Sequence, residues 1–274
     1  MRKSKSGETE VFVMDTKRAL SYGPNPVHLA DWYPADDPAS SPLLVFFHGG
    51  GLEGGDRGNG SDPVFSELKA RGISVLTADY RLYPAARFPD FIQDAALCVS
   101  WAKDNLPHGP LCVGGSSAGG YLSMMLAMDE RYLAAHGIRS QDRRQIAGYF
   151  CDSGQPTVHF NVLRERGLDT RLIRVDEAAP VYFAGPVADP EHLPAVALIV
   201  ADGDMVNRPE QNRMMARTLL HFGWPEECVR FTEMKGYGHT GYNYAAGPDG
   251  SLVYPPMIED FVRFAAKRAE KDKD

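Results

Sequence analysis

Short continuous apolar runs recur along the chain, and longer segments with helical periodicity separate them. The run PLLVFF (Pro42–Phe47) contains no polar residue, which is typical of a strand buried on both faces. The segment from about Phe88 to Leu106 carries apolar residues at spacings of three and four, which predicts an amphipathic helix. Strands that alternate with helices favour a mostly parallel sheet covered by helices on both faces. The sequence therefore predicts an α/β fold.

About eight strands and five principal helices are expected. The predicted strands are Glu10–Met14, Val27–Tyr33, Pro42–Phe47, Gly72–Tyr80, Leu111–Gly115, Ile146–Asp152, Ala195–Val200 and Cys228–Met234. The predicted helices cover about Asp62–Arg71, with Asp62 as the cap, and Phe88–Leu106, Ser117–Met128, Pro209–Phe222 and Met257–Lys271. The segment 154–194 mixes proline, glycine and aromatic residues and does not follow the alternation of strands and helices, so we predict a small cap insertion there.

Composition limits the classes of function. A chain of 274 residues with 43% hydrophobic content can bury one large core, so residues 1–274 are predicted to form a single domain. The formal net charge of −7 gives no electrostatic reason to bind nucleic acid or an anionic membrane. The basic start, MRKSKSGE, has no apolar run behind it, and the four cysteines form no CxxC pair. These features predict a cytoplasmic protein with buried free thiols, and they leave its oligomeric state open.

The stretch Gly115-Ser116-Ser117-Ala118-Gly119 matches G-x-S-x-G and lies between a predicted strand and a predicted helix. A nucleophilic serine in this motif sits on a tight turn, and side chains at either glycine would collide with the neighbouring backbone. The helix that follows directs free N–H groups toward developing negative charge. Ser117 is therefore the candidate nucleophile, and Ser116 is expected to pack. The alternative is a structural or phosphate-binding turn.

The sequence His48-Gly49-Gly50-Gly51 follows a buried strand upstream of the serine. A loop without side chains lets its backbone N–H groups approach a substrate oxygen. The N–H groups of Gly50, Gly51 and Ala118 are therefore predicted to form an oxyanion hole. We expect His48 to brace this loop, while the alternative is a flexible surface loop.

Two further segments supply an acid and a base. Asp202 and Asp204 both follow the predicted strand Ala195–Val200, so either carboxylate could orient an imidazole, or both could simply cap a loop. His239, in GYGHTGY, follows the last predicted strand. The chain order Ser117, acid, His239 is the order expected of a serine hydrolase built on a parallel sheet.

From about Leu43 to Tyr242 these motifs resemble the hormone-sensitive-lipase-like group of α/β-hydrolases, and they are most similar to its small bacterial carboxylesterases and acetyl or feruloyl esterases. HGGG matches at His48–Gly51, and Asp79–Ala95 resembles the DYRLAPE stretch of the family. The serine turn Gly115–Gly119, which we call the elbow, has Ser116 where Asp or Glu is more usual in the family. The loop that carries His239 has Thr240 in place of glycine. LIVADGDMV resembles the acid segment of the family and aligns Asp204 with its catalytic acid.

The resemblance implies hydrolysis of short-chain acyl esters, such as acetylated sugars or aryl esters, through a Ser117-His239-Asp204 triad and an acyl-enzyme. It implies a small-molecule ester substrate and neither a metal nor an organic cofactor. Side chains expected to shape the pocket are Leu52, Phe160, Met205 and Tyr242. The alternatives are a peptidase or amidase, a lyase on the same scaffold, and a ligand-binding relative without catalysis.

Overall fold

The computed structural model describes residues 15–58 and 60–271, and within them one eight-stranded sheet forms the centre of the molecule. The strands are β1 (Lys17–Ser21), β2 (Leu29–Tyr33), β3 (Leu43–Phe47), β4 (Ser74–Ala78), β5 (Leu111–Ser116), β6 (Gly148–Asp152), β7 (Ala195–Gly203) and β8 (Val229–Gly238). Their order in the sheet is β1-β2-β4-β3-β5-β6-β7-β8. The β1–β2 and β2–β4 pairs are antiparallel, and the other pairs are parallel. The prediction of a mostly parallel sheet is confirmed.

Seven α-helices surround the sheet in the part of the chain described. They are α1 (Asp62–Ala70), α2 (Asp90–Asn105), α3 (Ala118–Met128), α4 (Glu130–Ala134), α5 (Phe160–Glu165), α6 (Arg208–His221) and α7 (Tyr254–Glu270). Three short 3₁₀ helices cover Pro180–Phe183, Glu226–Cys228 and Gly241–Asn243. The five predicted helices are present, whereas α4 and α5 are too short for their periodicity to be recognised.

Several predicted boundaries differ from the structure for local reasons. Helix α7 begins three residues before the predicted Met257, because Pro255 lies in its first turn, where the missing N–H costs nothing. Asp62 does not cap α1: Ser61 holds that position, and the Asp62 carboxylate accepts hydrogen bonds from Tyr33 and Arg18 instead. The predicted strand Glu10–Met14 lies outside the described residues.

Strand β3 shows how the core is divided between the two faces of the sheet. All five of its residues are buried. Leu43, Val45 and Phe47 belong to the apolar cluster that holds the buried faces of α2, α3 and α6, whereas Leu44 and Phe46 belong to the cluster of α1 and α7. Alternate side chains of a strand point to opposite faces, so the run PLLVFF is apolar throughout because both faces are covered.

The segment 154–194 connects β6 to β7 and contains α5 and one 3₁₀ helix as its regular structure. Val158 and Leu163 are fully buried in the same cluster as α3, so part of this segment packs onto the body of the molecule. Leu172 and Ile173 lie further along and remain about half exposed. Its assignment as a cap insertion stays a prediction.

Two smaller observations complete the fold. The four cysteines are buried and unpaired, as the sequence predicts. Among residues 15–58 and 60–271, no helix has both the length and the apolar content needed to cross a bilayer.

Candidate active site

Ser117, His239 and Asp204 form one continuous line of hydrogen bonds at the carboxyl edge of the sheet. The Oγ of Ser117 lies 2.8 Å from His239 Nε2, and His239 Nδ1 lies 2.7 Å from Asp204 Oδ1. The carboxylate can only accept, so Nδ1 carries the hydrogen and Nε2 accepts the serine hydroxyl proton. Parallel strands present their carboxyl ends at one edge, which brings together residues that follow β5, β7 and β8.

Ser117 occupies a strained backbone conformation between β5 and α3. Its φ is 56° and its ψ is −110°, a region that costs a non-glycine residue about 1–3 kcal/mol. Two glycines allow the turn: a Cβ on Gly119 would overlap the carbonyl oxygen of Phe47, and one on Gly115 would overlap the backbone of Gly119. The Ser117 N–H donates to the carbonyl oxygen of Asp152 at 2.8 Å. The turn is therefore fixed by β3, α3 and β6 together.

The glycine loop after β3 lies directly against the serine. A Cβ on Gly49 would be 3.2 Å from the Cβ of Ser117. Gly50 has a φ of 115° and Gly51 a φ of 65°, conformations that side chains disfavour. Within the described residues, no acceptor is recorded for the backbone N–H groups of Gly50, Gly51 and Ala118. These donors are therefore free to bind an oxygen beside Ser117.

His48 braces this loop and takes no part in the hydrogen-bonded line. Its ring stacks on Tyr80 with centroids 4.4 Å apart, and its Nδ1 lies 2.6 Å from the carbonyl oxygen of Gly49. Burial lowers the pKa of the His48 imidazole below its ordinary value. The Tyr80 hydroxyl donates to the His48 carbonyl oxygen at 2.9 Å, which ties the loop to the segment after β4.

Asp204 is held as a carboxylate by its neighbours. Burial acts to raise the pKa of this carboxyl, but the hydrogen bonds from His239, from the Met205 N–H and from the Ser153 hydroxyl outweigh it, so the pKa is lowered. Asp202, the rival acid, is exposed and accepts a hydrogen bond from the Gly236 N–H at 2.8 Å. The structure therefore brings Asp204, and not Asp202, to His239.

Sequence reasoning missed a set of polar residues beneath the site. The fully buried carboxylate of Asp152 accepts hydrogen bonds from Tyr242, from Tyr254 at 2.7 Å and from Asn243 at 3.0 Å. Burial raises the pKa of Asp152, and these donors act against that rise. Asn243 also donates to the Ser116 hydroxyl at 2.9 Å. The loop after His239 is thereby anchored to the elbow and to β6.

Ser153 extends this set to Asp204. Its hydroxyl donates to Asp204 Oδ2 at 2.8 Å and lies 3.1 Å from the Tyr242 hydroxyl. Its φ of 48° is in the left-handed region, and its carbonyl oxygen accepts a hydrogen bond from Arg208. The one sequence signal for this residue is the polar pair Asp152-Ser153 directly after an apolar strand.

A cavity of about 260 Å³ opens beside Ser117 and His239. Phe160 and Met205, two of the four predicted pocket residues, line it. Leu52 and Tyr242 are fully buried and do not line it. Leu52 belongs to the core behind the glycine loop, and Tyr242 belongs to the hydrogen-bonded set around Asp152.

Comparison with known proteins identifies the architecture. A protein-family model for the α/β hydrolase fold matches residues 44–151, from β3 to β6. The solved structure of a truncated carbohydrate esterase from gut microbiota superposes with a TM-score of 0.72 and 16% identity, covering 97% of this chain and 100% of that chain. The chain has the α/β-hydrolase fold.

The chain also has relatives in sequence. Esterase LipC of Mycobacterium tuberculosis is 34% identical over 128 residues, 43% of this chain and 32% of LipC. Human hormone-sensitive lipase is 31% identical over 117 residues, 40% of this chain and 10% of the lipase. The versiconal hemiacetal acetate esterase of Emericella nidulans is 29% identical over 231 residues, 76% of each chain. The resemblance to the hormone-sensitive-lipase-like group is confirmed, although the chain spans only a third or less of the first curated relatives.

Proposed function

We propose that this protein is a serine carboxylesterase that hydrolyses short-chain acyl esters. The proposal depends above all on the line from Ser117 through His239 to Asp204, with separations of 2.8 Å and 2.7 Å. The names of the relatives, which include esterases and an acetate esterase, support the same reaction class. The nucleophile of the first step, the base, the acid and the oxyanion donors of this mechanism are all groups of the chain.

In the acylation step, Ser117 Oγ attacks the ester carbonyl carbon while His239 Nε2 takes the hydroxyl proton. The carbonyl oxygen becomes an oxyanion, and the free N–H groups of Gly50, Gly51 and Ala118 stabilise it. When the tetrahedral intermediate collapses, the bond to the alcohol oxygen breaks and His239 gives its proton to that oxygen. Asp204 stabilises the imidazolium that forms between these two transfers.

In the deacylation step, a water molecule takes the place of the alcohol. His239 removes a proton from this water, the hydroxyl adds to the acyl carbon, and the bond to Ser117 Oγ breaks with return of the proton to Oγ. The products are the carboxylic acid and the free enzyme.

The size of the cavity supports a short acyl group. Phe46, Phe65 and Tyr254 line it, and each of these aromatic side chains is almost completely buried, so its walls belong to the core. A volume of about 260 Å³ is below the range of about 300–1,000 Å³ typical of sites for drug-sized ligands. An acetyl or propionyl group fits such a space more readily than a long acyl chain.

The direct test is covalent labelling. A fluorophosphonate is expected to phosphonylate Ser117 because the reagent needs a serine oxygen activated by a base, and peptide mass spectrometry would locate the adduct. The same preparation is expected to hydrolyse p-nitrophenyl acetate and to lose that activity in proportion to labelling. Labelling at another residue, or turnover that survives complete labelling of Ser117, would contradict the proposal.

The Ser153 hydroxyl is expected to support the acid of the triad. Ser153→Ala removes the hydrogen bond to Asp204 Oδ2, a bond to a charged group worth about 1.5–3 kcal/mol. We expect kcat for p-nitrophenyl acetate to fall about 10-fold, which is 1.4 kcal/mol, with little change in KM. Ser251→Ala is the matched control, because it removes a serine-to-carboxylate bond on the exposed surface, to Asp249. A kcat equal to that of the control would show that Ser153 does not support catalysis.

A further inference from the structure

A second cavity lies next to the one that holds Ser117. It has a volume of about 490 Å³, and its walls come from the segment after α5 and from the segment between β7 and α6. Phe160 and Met205 line both cavities, so the two spaces share a wall. Phe160 also contacts the glycine loop, since a Cβ on Gly51 would be 2.9 Å from its Cζ. We call the second cavity the outer groove.

The outer groove carries much of the exposed apolar surface of the molecule. Nine large apolar side chains are exposed among residues 15–58 and 60–271, and four of them line this groove. Leu172 is 48% exposed, Ile173 57%, Met205 43% and Val206 89%. Single exposed apolar residues are ordinary, but a group of them around one concave site is typical of a binding surface.

The charged groups of the outer groove already have partners. Arg171 pairs with Asp169. Arg208 donates to the carbonyl oxygen of Ser153 and to Gln155, and burial lowers its pKa to about 10, so it remains a cation at neutral pH. Because these cations are neutralised or bonded within the chain, the groove fits an uncharged apolar ligand better than an anion.

The two cavities differ in size and in their contact with the reacting groups. Ser117 and His239 line the smaller cavity, of about 260 Å³, whereas neither residue lines the outer groove, of about 490 Å³. In an acyl-enzyme mechanism the acyl group stays bonded to Ser117 after the alcohol has left. We therefore assign the acyl group to the cavity that Ser117 lines, which leaves the outer groove for the alcohol.

We propose that the outer groove binds the alcohol part of the ester, and that this alcohol is bulky, uncharged and apolar. The proposal rests on the carboxylesterase function proposed above and specifies its substrate class as short-chain acyl esters of such alcohols. In the acylation step the alcohol oxygen receives its proton from His239 as its bond to the acyl carbon breaks, and the alcohol then leaves through the groove. Ile173 and Val206 are specificity-determining residues in this arrangement.

Three esters distinguish the effect of a bulky alcohol part from the effect of a bulky acyl part. Ethyl acetate is small on both sides, 2-phenylethyl acetate has a bulky alcohol, and ethyl 3-phenylpropanoate has a bulky acyl group. We expect kcat/KM for 2-phenylethyl acetate to exceed that for ethyl acetate by about 10-fold or more, the range that apolar pockets give. The ester with the bulky acyl group is expected to be the poorest substrate, because its phenyl ring would have to enter the smaller cavity beside Ser117.

Substitution of the groove tests the assignment to residues. In the double variant Ile173→Ser, Val206→Ser, the preference for 2-phenylethyl acetate over ethyl acetate is expected to fall about 10-fold. Val175→Ser is the matched control, since Val175 is 51% exposed in the same segment but does not line the groove. The control should keep the wild-type preference. An unchanged preference in the double variant, or a wild-type preference for the bulky acyl ester, would overturn the proposal.

Binding without turnover separates this inference from the proposed function. Saturation-transfer NMR of 2-phenylethanol with the wild-type protein is expected to show contact that the double variant loses and the Val175→Ser control retains. A protein that binds 2-phenylethanol in the groove but hydrolyses none of the three esters would refute the carboxylesterase function and keep the groove. A protein that hydrolyses ethyl acetate but shows no groove-dependent binding would refute the groove.

Discussion

Ser117→Ala is expected to lower kcat for p-nitrophenyl acetate by a factor of about 10⁴ or more. In the proposed mechanism the hydroxyl oxygen of Ser117 bonds the acyl carbon, and the adjacent Ser116 hydroxyl cannot replace it because it is buried and accepts a hydrogen bond from Asn243. Removing a partly exposed hydroxyl from a strained turn costs little stability, so the thermal unfolding temperature should stay close to that of the wild type. Stopped-flow and steady-state hydrolysis, with unfolding followed by circular dichroism, measure both quantities.

Ser116→Ala is the matched control for this experiment, because it removes the adjacent hydroxyl from the same turn. It is expected to reduce activity far less, since Ser116 lies outside the line of hydrogen bonds to His239. If Ser117→Ala retained measurable turnover in a pure sample, or if Ser116→Ala were the more damaging change, Ser117 would not be the nucleophile.

Asp204→Asn is expected to lower kcat by about 10⁴-fold while the geometry of the site is retained. An amide next to His239 Nδ1 can donate a hydrogen bond, which favours the imidazole tautomer that cannot accept the serine proton, and it cannot stabilise the imidazolium. Asp202→Asn is the control, because this exposed carboxylate is only two residues away and bonds the Gly236 N–H. Its kcat should stay within a few-fold of the wild type. Equal losses in the two variants would show that neither carboxylate acts through His239.

The central part of the fold could be predicted from sequence because it depends on local patterns. A run such as β3, buried on both faces, has to be apolar at every position, and a serine between Gly115 and Gly119 reports a turn that excludes side chains. Each of these signals is contained in fewer than ten consecutive residues. Ser117 and His239 each come directly after a predicted strand, and parallel strands end at the same edge of the sheet. Their positions in the sequence therefore predicted that they would lie at one edge.

The choice between Asp202 and Asp204 could not be made from the residues alone. Side chains two residues apart in a strand point to the same face of the sheet, so the alternation of faces does not distinguish Asp202 from Asp204. The pairing of β7 with β8 is irregular between Ala201 and Gly203, and this irregularity turns the chain so that Asp204 meets His239 while Asp202 faces Gly236. A pairing irregularity of this kind depends on the partner strand, which lies about thirty residues further along.

The polar set around Asp152 was missed for a related reason. Tyr242 is 90 residues away from Asp152 along the chain, and Tyr254 is 102 residues away. Each of these residues, taken singly, is an ordinary core tyrosine or an acid at the end of a strand. Only the packing of β6 between β5 and β7 places Asp152 beside Ser117 and Ser153 beside Asp204. Both residues also contact Tyr242, in the loop that follows His239.

The elbow and the outer groove belong to different parts of the architecture, and this separation bears on how the protein can change. The elbow is fixed where β3, β6 and α3 press together, so a substitution there disturbs folding and reactivity at once. The half-exposed residues of the groove are not held between strands and helices in this way. A lineage, or a laboratory selection, can therefore vary Leu172, Ile173 and Val206, and with them the ligand that the groove accepts, while the elbow stays unchanged.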